Sequence, residues 1–348
     1  MQSARDIASM KILMIFIVCF SLCVPGAGFT AEVDSVTPRH IVLEDVLEDI
    51  NAIINTRIRD GVEKANAGRV EVEDVEGIEL LMRHDDCDVD DLYTELRKSL
   101  FQSLTASWGL KGYDLDLQMR ELLSDKTYSI SLRDSVYRDI SYLEGFSLNV
   151  KELSDVAGID GHLIGLDKLG HFFSEGWQYF EITQQAGAGL EHALDWGSGK
   201  EAGLYGYTTT GIFSYADLVA NFHGWRFWNR VLLKQPDPLS GIIDRLFDRP
   251  YVTCNIQIID SFRQLRLVRA WQVNRQFDLG YYIDAMWDED KNCNSYADPV
   301  IEEKVTSRIA EFAPDYVCPA DAQACSIANE KYGDYASRLL HPGCLSMR

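Results

Sequence analysis

Between residues 41 and 66 the apolar positions Leu43, Val46, Leu47, Ile50, Ile53, Ile54, Ile58 and Val62 recur at intervals of three and four. That period lays them along one face of an α-helix, which Gly68 brings to an end. A second stripe, Leu92, Leu96, Leu100, Phe101 and Leu104, predicts a helix over 88–105 with Asp88 as its N-cap. Shorter helical patterns fall at 114–124 and 133–143. A longer one covers 166–184 and stops before the small-residue run Ala186-Gly187-Ala188-Gly189. Two more are expected at 214–233 and 256–273. Strand patterns are scarce, and 69–75 is the best of them. The fold class expected is mainly α, a helical globular protein with little strand.

The first 28 residues stand apart. Residues 12–24, ILMIFIVCFSLCV, are almost wholly apolar, follow Met10-Lys11 and precede Gly26-Ala27-Gly28. Such a run is short for a bilayer span and has the form of a signal-peptide core before a small-residue cleavage site. Cleavage is expected near residues 28–31, with Met10 as an alternative start and an uncleaved anchor as the competing reading. Cys23 follows Leu22, so a lipoprotein box is poorly matched. No transmembrane segment is expected after the signal peptide, because no later window is apolar for long enough. The mature chain is therefore expected in the periplasm or secreted.

Cysteine usage agrees with export. The mature chain keeps Cys87, Cys254, Cys293, Cys318, Cys325 and Cys344. Disulfides are expected, with their pairing open. Five of the six follow residue 250, which points to a disulfide-stabilised C-terminal region. The chain divides into an acidic helical region (29–150), a central aromatic region (151–240) and a cysteine-rich region (241–348). No flexible linker separates them, so 29–348 can pack as one domain.

The 54 acidic against 33 basic side chains leave a net charge of -21. A surface of that sign repels phosphate backbones, which argues against a nucleic-acid partner. Neither a GxGxxG nor a Walker A sequence is present, so no nucleotide partner is expected. Remaining partners are an envelope component or another protein.

Candidate chemistry collects in the central region, where residues 163–233 are rich in aromatics and poor in basic residues. From Glu201 to His223 the only formal charges are Glu201 and Asp217. A carboxylate in so apolar a run is expected to be desolvated, with its pKa raised. In DKLGHFFSEG, Asp167, His171 and Glu175 fall at successive i, i+4 steps and share a helix face with Ser174 and Gln178. Asp217 and Asn221 repeat the spacing on a second helix, with His223 nearby. If the two helices pack face to face, Asp167, His171 and Asp217 would be ligands of a divalent metal ion, zinc, manganese or iron. Glu175 would then be the catalytic general base. The plainer reading makes the same residues the polar face of an amphipathic helix, with Ser214-Tyr215-Ala216-Asp217 as a capping box.

The stretches Gly165–Phe173 and Tyr207–Asn221, carrying DKLGHFF and TTGIFSYADLVAN, resemble the core of an uncharacterised family of exported bacterial proteins. Trp287-Asp288-Glu289 and Asn292-Cys293-Asn294 are similar to that family's C-terminal part. The resemblance implies that these motifs belong together and brings no activity with it. Asp167 to His171 alone is also similar to a DKxxH motif of VanZ-like membrane proteins, which span the membrane several times.

Other constellations are weaker. Asp86, Asp88 and Asp90 have the opening spacing of an EF-hand, but Asp91 and Arg97 replace its glycine and glutamate. Asp288, Asp290 and Asn292 form a second oxygen-rich loop. Gly211 to Ala216 is not GxSxG, which argues against a serine hydrolase. Trp177, Trp196, Tyr205, Tyr207, Trp225 and Trp228 would either line a glycan-stacking cleft or be plain core. Two functional classes follow: a metal-assisted hydrolase of an envelope component, or a non-catalytic binding or envelope-organising protein.

Overall fold

The computed structural model describes residues 32–67, 87–101, 113–150, 152–203, 206–261 and 264–347. The expected signal peptide and the strand expected at 69–75 lie outside them. In chain order the helices are α1 (Leu47–Ala67), α2 (Val89–Leu100), α3 (Tyr113–Leu122), α4 (Phe146–Val150), α5 (Asp167–Gly170), α6 (Gly176–Gln184) and α7 (Leu190–Glu201). They continue with α8 (Tyr215–Leu232), α9 (Ile242–Phe247), α10 (Pro299–Phe312), α11 (Ala322–Tyr332), α12 (Ala336–Leu339) and α13 (Pro342–Leu345). The strands are β1 (Val156–Ile159), β2 (His162–Gly165), β3 (Ile212–Ser214), β4 (Val252–Ser261), β5 (Gln264–Val273) and β6 (Asn294–Tyr296). They pair antiparallel as β1–β2, β3–β6 and β4–β5. Helix dominates the described residues, as the hydrophobic periods predict.

The differences from expectation have local causes. Helix α1 starts at Leu47 because Asp45 bridges to Gly158 and the Val46 N–H donates to Gly158 O at 2.9 Å. Residues 133–143 form turns rather than a helix. There Ser131 Oγ donates to Asp134 Oδ2 and Ser135 Oγ to Leu132 O, while Asp34 Oδ2 accepts from the Val136 N–H. Side-chain partners of this kind compete with the helical ladder. The segment 256–273 is a β-hairpin, paired from Val252↔Val273 to Ser261↔Gln264. Its β-branched residues suit a strand. Two tertiary ties hold it: the Cys87–Cys254 disulfide, and the Asn66 amide bonded to both backbone groups of Trp271 at 2.9 Å each.

Asp88 is the N-cap of α2, its Oδ1 accepting from the N–H groups of Asp90 and Asp91. That explains the acidic run without an ion; Asp86 lies outside the described residues. The other disulfides, Cys293–Cys318 and Cys325–Cys344, fall within the C-terminal region. Among the described residues no helix is long and apolar enough to cross a membrane.

At the centre of the main core lies α8, in which every residue from Ala216 to Val231 is buried. Trp177, Trp225 and Trp228 are core rather than cleft, and their neighbours include Tyr93, Phe180, Phe222 and Phe227. Trp225 Nε1 donates to Thr183 Oγ1 and Trp228 Nε1 to Phe173 O, so burial leaves neither indole unpaired. A second cluster packs Ile301, Val305 and Ile309 of α10 against Val136, Tyr137, Ile140 and Ile212. The candidate site lies where α5 and α8 approach β6.

Candidate functional site

The β1–β2 hairpin delivers the chain directly into α5. At that junction the Asp167 N–H donates to Ser154 Oγ at 2.9 Å, fixing the first helical residue. A Cβ on Gly165 would stand 2.3 Å from Asp167 Oδ1, so the glycine leaves the carboxylate its room. The expected helix 166–184 is continuous but not uniform: α5 runs through a π-turn (His171–Glu175) into α6. Such turns re-aim side chains and recur at functional sites.

The opposing wall comes from α8. Ser214 caps it, with Oγ accepting from the Asp217 N–H at 3.2 Å. The capping spacing read from the sequence is therefore real for Ser214, yet the Asp217 side chain crosses to the other helix. Two glycines allow the crossing. A Cβ on Gly224 would lie 1.8 Å from Phe172 O, and one on Gly176 would lie 2.5 Å from the Gly224 Cα.

At the centre stands Lys168, 1% exposed. Its Nζ is 2.9 Å from Asp167 Oδ2, 2.5 Å from Asp217 Oδ1 and 2.7 Å from Glu289 Oε1. Glu289 also accepts from Ser214 Oγ at 3.0 Å and from Asn294 Nδ2 at 2.7 Å. His171 Nε2 lies 3.0 Å from Asp217 Oδ2, and Asn221 holds the ring from the other side, 3.1 Å from Nδ1. Glu175 and Glu201 are buried within electrostatic reach of His171. Glu32, hydrogen-bonded to Thr210, feels Asp217 and Glu289.

This is a buried excess of carboxylates around two cationic side chains, and it perturbs nearly every member. Burial opposes the charge on Lys168, but Asp167, Asp217 and Glu289 outweigh it and hold the ammonium's pKa well above the ordinary value. Burial likewise opposes protonation of His171, and Asp217 overrides it, lifting the imidazole to about 10. Burial pushes Glu175 up to about 7 and Glu289 up to about 7. The same cause lifts Glu32 to about 8 and Glu201 well above the carboxylate range. Asp217 goes the other way: burial would raise it, but His171 and Lys168 hold it below its ordinary value. The expectation of raised carboxylates between 201 and 223 is thus right for Glu201 and wrong for Asp217, because Asp217 has two cationic partners.

Asp167, His171 and Asp217 do converge: each offers one ligand-type atom, all within 4.8 Å of one another. Asp167 Oδ1, His171 Nε2, Asp217 Oδ1 and Glu175 Oε2 are all buried without an aligned hydrogen-bond partner. Asp217 is held to Lys168 and His171 by short ionic contacts instead. Glu175 sits one turn further along and is not among the three closest donors. Gln178 turns to Glu181, and His223 belongs to a separate network with Arg226 and Tyr332. In the 288–292 loop, Asp288 Oδ2 pairs with Lys291, while Asn292 is consumed by Met286 O, Leu339 O and the His341 N–H. Those two side chains thus serve the turn itself.

Sequence reasoning missed Lys168, Glu289 and Glu32. The adjacency of Lys168 to Asp167 was visible, but a helical wheel puts consecutive residues on different faces. The only signal for Glu289 was its place in the Trp287-Asp288-Glu289 motif. On the far side of Glu289 lies a cavity of about 320 Å³, bounded by Tyr137, Asn294, Tyr296 and α10. Comparison with known proteins found no matching family model, curated protein or solved structure.

Proposed function

We propose that the chain is an exported, periplasmic or secreted, metal-assisted hydrolase of an envelope component. In this reading Asp167, His171 and Asp217 hold a divalent ion, zinc, manganese or iron. The observation that carries it is the convergence of one ligand-type atom from each of those three buried residues within 4.8 Å, a bound ion taking the place of the proton that Asp217 draws onto His171. Buried polar atoms ordinarily find partners, and an imidazole nitrogen with two carboxylate oxygens is a donor set suited to such metals. The bound ion would supply Lewis acidity toward a substrate oxygen. Glu175 Oε2, buried and unpaired, takes the proton of the attacking water. Lys168 keeps Asp167, Asp217 and Glu289 together despite their mutual repulsion. Asn221 orients the His171 ring.

Elemental analysis by mass spectrometry tests this on protein purified untagged from the periplasm, beside a His171→Ala/Asp217→Ala double variant. Near-stoichiometric zinc, manganese or iron is expected in the wild type and not in the variant. Glu175→Gln is expected to keep the ion and lose turnover of chromogenic ester and phosphodiester substrates.

The position of Lys168 favours a second reading. Its ammonium already serves three carboxylates, so the cluster can be a structural ion network in a non-catalytic binding or envelope-organising protein. Metal-free wild type, with only a stability loss in the double variant, would select that reading.

A further inference from the structure

Helix α9 carries its apolar side chains outward: Ile243, Leu246 and Phe247 are 71%, 77% and 78% exposed. Their i, i+3 and i+4 spacing puts all three on one helix face. Two ion pairs hold the loop that bears them. At its start Arg226 Nε and Nη2 donate to Asp237 at 2.9 and 2.7 Å, and at its end Arg230 Nε donates to Asp248 Oδ1 at 3.0 Å. Both arginines are buried and stand one turn apart on α8. Between the pairs Leu239 packs against the main core. The fold thus fixes both ends of the loop and presents an apolar knuckle between them. Lys234, Arg245, Arg249 and Arg275 flank it as exposed cations, against exposed Asp244. Arg275 joins this set through Asp248, 3.9 Å away. With Asp237 and Asp248 answered by arginines, the charge around the knuckle is positive in a chain of net charge -21.

We propose that this knuckle docks the protein on an anionic lipid surface. Ile243, Leu246 and Phe247 enter the boundary between headgroups and acyl chains, and the flanking cations lie against lipid phosphate. A short apolar helix face bordered by lysine and arginine has the chemistry of an interfacial anchor. Charges are screened beyond roughly 8 Å at physiological ionic strength, so the cations beside the knuckle count for more than the acidic excess over the rest of the chain. Three side chains offer too little surface for a stable second copy or protein partner, which takes roughly 800 Å² from each side. A bilayer accepts a convex point of that size. The docking does not depend on whether Asp167, His171 and Asp217 hold a metal ion.

Cosedimentation of residues 29–348, the expected mature chain, with phosphatidylcholine–phosphatidylglycerol vesicles tests the proposal. Saturable binding is expected, weakened by salt and at least about tenfold weaker on phosphatidylcholine alone. Leu246→Ser/Phe247→Ser should weaken it at least about tenfold by removing the inserted side chains. Arg245→Gln/Arg249→Gln should weaken it about tenfold through lost attraction to phosphate. All four side chains are exposed, so both variants should keep the wild-type melting temperature. No binding, equal binding to neutral vesicles, or wild-type binding by Leu246→Ser/Phe247→Ser would overturn the proposal. Analytical ultracentrifugation addresses the competing occupant. Self-association that the serine variant abolishes, without vesicle binding, would overturn lipid docking in favour of a second copy.

Discussion

The ammonium of Lys168 stands 2.5 Å from Asp217 Oδ1, joining the first turn of α5 to the first turn of α8. Through the same nitrogen it reaches Glu289, on the segment that leads into β6. One side chain therefore ties three parts of the chain that are remote in sequence. Removing one partner from such a buried network leaves charges stranded, which is more costly than losing the attraction itself. Lys168→Met is expected to destabilise the fold by about 3–5 kcal/mol in chemical denaturation. Adding Glu289→Gln to Lys168→Met should recover part of that loss. A single variant within about 1 kcal/mol of wild type would mean that the carboxylates are neutral without the lysine.

The approach of the two helices depends on Gly224. A Cβ there would press on the Phe172 carbonyl at 1.8 Å, and backbone cannot step aside as a flexible side chain can. Gly224→Ala should cost about 3 kcal/mol or more, the upper end of overpacking penalties. Gly170→Ala is the internal control, since a Cβ at Gly170 meets nothing within 4 Å. With helix propensity in its favour, it should be neutral or stabilising by up to about 1 kcal/mol. Equal melting temperatures for both variants would refute the close-approach argument.

Acid sensitivity is expected from His223. Arg226 Nη1 donates to its Nδ1 at 2.7 Å, so Nε2–H donates to Tyr332 Oη at 2.8 Å, and Tyr332 in turn donates to Asp284 Oδ2. Burial first, then the charges of Arg226 and Lys331, hold the imidazole well below its ordinary pKa of 6.5. Asp284 Oδ2, 3.9 Å from Nε2, and the ring of Tyr282 also face it. The unfolded chain thus binds a proton at this histidine that the folded chain refuses. Its contribution is fully present above pH 6.5 and is lost as the pH falls below it, by at most about 1.4 kcal/mol per unit. Because the raised carboxyls of Glu32, Glu175, Glu201 and Glu289 contribute a slope of opposite sign in this range, urea titrations from pH 7.5 to 5.0 should show the His223 contribution as a difference, His223→Gln gaining stability relative to wild type as the pH falls. The same slope in both proteins would assign the acid sensitivity elsewhere.

The Cys87–Cys254 disulfide anchors the β4–β5 hairpin to the start of α2 across a long loop. Its removal in Cys87→Ser/Cys254→Ser should cost about 2–5 kcal/mol. Hydrogen exchange should speed up in β4 and β5 before it does in α8. Uniform acceleration across both regions would indicate that the bridge acts on the whole fold rather than on the hairpin.

What the sequence determines on its own is largely local. The stripe of α1, the Asp88 cap of α2 and the Ser214 cap of α8 follow from spacing and side-chain chemistry within a few residues. The i, i+4 placement of Asp167 and His171 on one helix, and of Asp217 and Asn221 on another, was legible for the same reason. Tertiary structure decided the rest. The β-branched residues of 256–273 suit a strand but share the segment with a helical spacing; the bonds from Asn66 and the bridge from Cys87 hold it as a hairpin. No spacing places Lys168 between Asp167, Asp217 and Glu289. That depends on two glycines letting helices meet and on a strand pairing, β3 with β6, that carries the chain near Glu289 back to Ser214. Charge pairing in a buried site depends on distances through space, and a sequence encodes those only through the packing of everything between.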